Sequence, residues 1–110
     1  MAQIRSATIA NGESNSSAVE LVGRNQTFEM GSLILDGTYT NTSFDLQAEI
    51  DGSWYNIYDT YGTKFSVSVA DGKHSLPADV FKDVNKVRVK GSSNEGAERT
   101  VKFLLVDILD

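Results

Sequence analysis

Residues 44–50, Phe-Asp-Leu-Gln-Ala-Glu-Ile, alternate apolar and polar side chains without a break and run straight into Asp51-Gly52. A strict period of two puts Phe44, Leu46, Ala48 and Ile50 on one face of an extended strand and Asp45, Gln47 and Glu49 on the other. Asp-Gly is a favoured pair where a hairpin needs positive φ at consecutive residues. The same grammar recurs along the chain. Ile4–Ala10 sets Ile4, Ser6 and Thr8 against Arg5, Ala7 and Ile9 and ends at Asn11-Gly12. Ser17–Val22 turns Val19 and Leu21 inward, and Lys64–Ala70 alternates Phe65, Val67 and Val69 with serines. Lys86–Lys90 carries Val87 and Val89, and Thr100–Val106 carries Val101, Phe103 and Leu105.

Thr27–Asp36 breaks the rule: Phe28 and Met30 alternate with polar residues, then Leu33, Ile34 and Leu35 are continuous. Either both faces of that strand are covered, or a bulge at Gly31 switches them. Helical character is confined to Ser75–Val84, where Pro77 suits a first turn near residues 77–82 and Phe81 packs on the sheet edge. Gly91–Glu98 reads as a flexible polar loop. About eight strands with loops too short for parallel crossovers predict an all-β fold. An antiparallel two-sheet sandwich of jelly-roll or Greek-key type fits best, and a closed barrel is the alternative. The 110 residues form one domain, 1–110, with a flexible N-terminal arm over 1–5 and a tail over 107–110.

Composition removes several function classes. There is no cysteine, so disulfides and thiolate metal sites are excluded. A net charge of −5, from 10 basic and 15 acidic side chains, argues against a nucleic-acid partner. No run reaches the roughly 20 apolar residues of a membrane span. The opening Met1–Ala10 lacks the apolar block of a secretory signal, so synthesis in the cytoplasm is expected. His74 is the single histidine and reads as a solvated loop residue. Catalytic residues, metal ligands, cofactors and small-molecule ligands are therefore not expected, and the chain does not read as an enzyme. Asp36, Asp51 and Asp71 each precede glycine and are explained by turn chemistry. Asn-x-Ser/Thr triplets at Asn15, Asn25 and Asn41 are the chance yield of a Ser/Thr-rich chain.

What remains is an aromatic cluster, Trp54, Tyr55, Tyr58 and Tyr61, just past the Asp51-Gly52 corner. A two-residue turn pairs Glu49 with Trp54, turning Tyr55 and Ile57 inward and Trp54 and Tyr58 out to a protein partner or a sugar. A three-residue turn with Gly52 in a bulge pairs Ile50 with Trp54 and does the reverse. The commoner burial of Trp favours the second register. The C-terminal Val101–Asp110 is apolar on both faces, as a covered strand would be. Candidate interface residues are thus Ile4, Arg5, Trp54, Tyr55, Ile57, Tyr58, Ile108 and Leu109.

The order of the pieces also resembles a family of small virion proteins of tailed bacteriophages. The matching residues are Ala7–Leu21 (ATIANGESNSSAVEL), Phe44–Thr63 (FDLQAEIDGSWYNIYDTYGT), Val87–Gly91 (VRVKG) and Glu98–Leu105 (ERTVKFLL). The similarity spans about residues 6–106, departing at Met30–Thr40, where a Pro and a Trp are expected and neither occurs. It implies a head decoration or cement protein that binds the major capsid protein on the capsid exterior as a homo-dimer or homo-trimer. It implies no catalysis, no cofactor and no membrane. A carbohydrate-binding sandwich, or a neck or tail component of the virion, is the alternative.

Overall fold

The computed structural model describes residues 2–23, 26–59, 61–69, 72–76, 81 and 84–107. The Phe28 side chain, Asn25, Asp71, most of the expected helical turn near 77–82, and Ile108 and Leu109 lie outside the described residues. Among the described residues ten strands follow in order: β1 (Ala2–Ile9), β2 (Val19–Glu20), β3 (Val22–Gly23), β4 (Gln26–Leu35), β5 (Ser43–Ile50), β6 (Ser53–Asn56), β7 (Ser66–Ser68), β8 (Gly72–Ser75), β9 (Lys86–Lys90) and β10 (Arg99–Asp107). They form two five-stranded sheets. One runs β1-β10-β4-β3 with β8 also on β4; the other runs β2-β9-β5-β6 with β7 also on β5. All the ladders are antiparallel. The all-β antiparallel two-sheet sandwich expected from the alternation is the fold.

The inner faces are those the period of two selects. Ala7, Ile9, Met30, Leu33, Leu35, Val101, Phe103 and Leu105 from the first sheet meet Val19, Phe44, Leu46, Ala48, Val67, Val87 and Val89 from the second in one buried cluster. Leu21 and Ile57, just outside strands, join it. Phe81 is buried too, edge-on to Phe65 with ring centroids 5.9 Å apart.

The continuous Leu33-Ile34-Leu35 run is resolved by a bulge. Leu104 pairs with Ser32 and Leu105 with Met30, leaving Gly31 as the extra residue. Met30 therefore shares the inner face with Leu33 and Leu35, and Ile34 is half-buried on the outer one. A Cβ on Gly31 would stand 2.8 Å from the Leu104 carbonyl oxygen, which belongs to backbone and cannot swing away. Gly31→Ala is expected to lower stability by about 1–3 kcal/mol, read as a lower urea midpoint with unchanged slope.

Three elements differ from expectation. Residues 2–5 are strand, Ala2 opposite Val106 and Arg5 opposite Phe103, so they are not a detached arm. β8 was not foreseen, because Lys73-His74-Ser75 carries no apolar alternation; its pairing comes from β4. His74 accordingly sits half-buried in a strand opposite Leu33 and not in a loop. Ile50, the last apolar residue of the cleanest strand, is 57% exposed, because the hairpin tip runs past the rim of the opposing sheet.

Candidate functional site

The β5–β6 turn has two residues. Ile50 pairs with Ser53 and Glu49 with Trp54, and Asp51 and Gly52 both have positive φ, 53° and 81°. This conformation twists in the same sense as the flanking strands, which is why an Asp-Gly pair selects it over a bulged loop. The register that buries Trp54 is therefore excluded: Trp54 lies half-buried on the outer face of its sheet, and Tyr58 is exposed beyond it. Ile57 takes the inward position and is buried, so it offers no surface to a partner. Tyr55 also points to the inner side, opposite Ala48, but is 54% exposed beside Ile50, where the hairpin overhangs the core.

The outer face around Trp54 is a polar ladder. Gln47 lies between Asn56 and Arg88 on adjacent strands. Arg88 Nε donates to Gln47 Oε1 at 2.8 Å, and Gln47 Nε2 donates to Asn56 Oδ1 at 2.9 Å. The Arg88 guanidinium carbon lies 4.3 Å from the Trp54 ring centroid, stacked over the ring. Burial lowers the Arg88 pKa, and a guanidinium starts so high that the side chain keeps its charge near neutral pH. Further along, Asp45 accepts from Ser66 Oγ at 2.6 Å and pairs with Lys64 at 3.1 Å.

Between β6 and β7 the chain leaves the sheet edge at Ile57 and returns at Phe65. Ile57 N donates to Leu46 O, Phe65 N to Ile57 O and Leu46 N to Phe65 O, so the excursion starts and ends on one β5 residue. Asp59 holds the excursion: its Oδ1 accepts from the Tyr61 and Thr63 amides at 2.9 Å each, and its amide donates to Thr63 O at 2.8 Å. Gly62, at φ 83°, closes the turn. Tyr61 stands at its tip, 93% exposed. The sequence places Tyr61 in the aromatic cluster but not among the candidate interface residues; the Asp59-x-x-Gly62 spacing is the signal that a tight turn presents it.

Ile4 and Arg5 lie on the other sheet. Ile4 is 57% exposed on that sheet's outer face, opposite Leu104 and diagonal to Val106, while Arg5 is exposed on the opposite side of the strand. The candidates thus do not converge: Trp54 and Tyr58 lie on one outer face and Ile4 on the other, while Tyr55, Ile57 and Arg5 take the inward side of their strands.

The loops at one end of the sandwich meet at a buried charge. Glu95, expected in a flexible loop, is 1% exposed. Its carboxylate accepts from the amides of Thr40 at 2.7 Å and Asn41 at 3.1 Å, from Asn41 Nδ2, and from Arg99 Nε at 3.0 Å. Its backbone joins Gly12 and Glu13 of a third loop at 2.8 and 2.9 Å. Burial by itself raises the carboxyl pKa; the hydrogen bonds from Thr40, Asn41 and Arg99 outweigh it and hold the group at about 2. Asn41 is buried with Glu95, its Nδ2 donating to Ser93 O at 2.8 Å, which leaves that Asn-x-Ser triplet inaccessible to modification in the folded chain.

Two open depressions lie among the described residues. One, of about 200 Å³, lies between Asp36–Tyr39 and Glu98–Thr100. The other, of about 460 Å³, separates Phe65–Ser68 from Lys73–Ser75, the facing edges of the two sheets. Among the described residues no group of three or more His, Asp or Glu side chains gathers as a metal site. No helix among them is long and apolar enough to cross a membrane. Compared with known proteins, the chain matches no family model, no curated protein and no solved structure.

Proposed function

We propose that the chain is a structural decoration, or cement, protein of a tailed-bacteriophage head. In this reading it is made in the host cytoplasm, binds the major capsid protein on the outside of the assembled shell as a homo-oligomer, and strengthens contacts between capsid subunits. The observation that carries the reading is Tyr61, 93% exposed on a turn whose backbone Asp59 holds, with Tyr58, bridged to Lys64, exposed on the same excursion. A large aromatic on a backbone that its own turn already holds loses little backbone freedom on docking, and tyrosine has few rotatable bonds to order, which is the physics of an interface anchor. Ile4 and Val106 on the opposite outer face give a second contact area, as bridging requires. The resemblance over residues 6–106 supplies the class of partner. Binding the assembled lattice, and not free subunits, stabilises it by mass action.

The sugar-binding alternative depended on an open Trp54. Arg88 covers one face of that ring at 4.3 Å, so a stacking platform would have to rest on Tyr58 and Tyr61. A neck or tail component would use the same surfaces as a head protein, and only the particle bound separates them.

The test is co-sedimentation of the purified chain with expanded heads and, separately, with tails of the phage that carries its gene. Binding to heads, with raised resistance to heat, is expected. Tyr61→Ala should weaken head binding by about 30-fold, the scale of one interface anchor, without moving the melting temperature. No association with heads overturns the reading, and association with tails alone transfers it to the neck or tail. Glycan binding abolished by Trp54→Ala would replace it with the sugar-binding one.

A further inference from the structure

We propose that β1 is a dimerisation strand: two copies of the chain pair antiparallel along its open edge and merge their β1-β10-β4 sheets into one. The inference identifies the surface behind the homo-oligomer of the reading above and rests on that reading for its biological use, although its geometry stands alone.

β1 is paired on one side with β10 along its whole length, from Ala2 opposite Val106 to Ile9 opposite Arg99. Its other side is occupied at one end. There Ser17 N donates to Thr8 O at 2.9 Å, Thr8 N donates to Ser17 Oγ at 3.1 Å, and Ile9 bridges Ser16. These bonds establish that the Thr8 N–H and C=O point away from β10. Backbone groups alternate sides along a strand, so Ala2, Ile4 and Ser6 present theirs to the same edge. Among the described residues nothing pairs with them there.

An open edge of this kind is normally blunted by proline, lysine or a bulge. Ala2–Ala7 contains no proline, lysine or glycine, its one charge is Arg5, and the β1–β10 register runs without a shift. The strand is also self-complementary in one register. With Ile4 opposite Ile4 of the second copy, Ala2 meets Ser6 and Gln3 meets Arg5. The three outward-facing pairs then exchange about six backbone hydrogen bonds, two for each pair. On the outer face the exposed Ile4 side chains meet on the two-fold axis, continuing the Leu104 row from both sheets. Sliding the register to Ile4 opposite Ser6 sets Arg5 directly against Arg5, a like-charge pair that disfavours it. The first register avoids that, and Ser17 blocks any slide that would engage Thr8. A two-fold of this type closes on itself, giving a dimer.

Sedimentation of the purified chain should show a species of twice the 12.0 kDa monomer at micromolar concentration. Ser6→Pro removes an edge-facing N–H that β10 does not use, so it should give a monomer with an unchanged circular dichroism spectrum. Because the chain has no cysteine, Ile4→Cys can link only to its own copy. The paired Cα atoms lie about 5.5 Å apart, within disulfide reach. Oxidised Ile4→Cys should run as a covalent dimer, whereas Thr8→Cys, whose edge Ser17 occupies, should not. A monomer or a closed trimer in solution overturns the inference, as does Thr8→Cys linking as readily as Ile4→Cys. If Ser6→Pro fails to fold, the cysteine pair decides alone. Dimers that ignore phage heads sink the cement reading and leave this one standing; monomers that bind heads do the opposite.

Discussion

Glu95→Ala is expected to lower the melting temperature by about 15 °C or more, the largest loss anticipated for any polar residue of the chain. The carboxylate is buried and is the common acceptor for Thr40 N, Asn41 N, Asn41 Nδ2 and Arg99 Nε. Removing it leaves the buried Asn41 amide and the half-buried Arg99 guanidinium without their acceptor. Breaking a buried pair in this way costs about 3–5 kcal/mol. Glu95→Gln keeps the shape but turns an amide N–H toward donors, so an intermediate loss is expected. Thermal melts at neutral pH read both variants, and an alanine variant melting within a few degrees of the native chain would refute the keystone role. Gly91→Ala should act through the same cluster, since a Cβ there meets the Asn41 side-chain amide at 2.3–2.5 Å.

The same carboxylate gives the fold an acid-sensitive element of known sign. Its folded pKa of about 2 lies below the ordinary 4.5. Its contribution is therefore fully present above about pH 4.5 and is lost as the pH falls toward 2. The difference corresponds to about 3 kcal/mol. Subtracting the melting curve of Glu95→Gln from that of the native chain should isolate this term. A difference that stays constant from pH 6 to pH 2 would remove the assignment.

Phe44→Ala is the second large effect, about 3–5 kcal/mol. Phe44 is fully buried on β5, and its ring stands edge-on to Tyr39 with centroids 5.5 Å apart. Tyr39 in turn donates its hydroxyl to Thr100 O at 2.9 Å. Truncating Phe44 therefore opens a cavity between the sheets and loosens the loop that presents Thr40 and Asn41 to Glu95. Phe44 and Glu95 should couple through that loop. A Phe44→Ala, Glu95→Ala double variant is expected to lose less than the sum of the singles, read in urea unfolding. Strict additivity would show that Tyr39 does not transmit the change.

Some of this was legible along the chain because it is local. The period of two in Phe44–Ala48, in Val87–Val89 and in Val101–Leu105 identified the buried faces, and Gly31, where alternation gives way to a continuous apolar run, announced its bulge. Asp51-Gly52 carried its own turn type, but the general tendency of tryptophan to be buried pointed to the wrong register. Turn geometry prevailed because both residues accept positive φ. Arg88 and Glu95 were missed, and Tyr61 of the aromatic cluster was left out of the interface candidates, for a different reason: each owes its role to groups distant in sequence or to the exposure that a loop creates.

Sequence by itself determined that this chain forms short antiparallel strands with one apolar face each, because side-chain alternation is a property of consecutive residues. Only the tertiary structure decided where those faces end. Ile50 and Tyr55 obey the inward pattern and are still exposed, since the opposing sheet stops short of them. Glu95 looks like a solvated loop residue and is buried, since Thr40 and Asn41, more than 50 positions away, together with Arg99 supply the hydrogen bonds that a desolvated charge requires. Ile4 and its neighbours read as an arm and are an ordered strand with one open edge, because β10 returns to pair with the other.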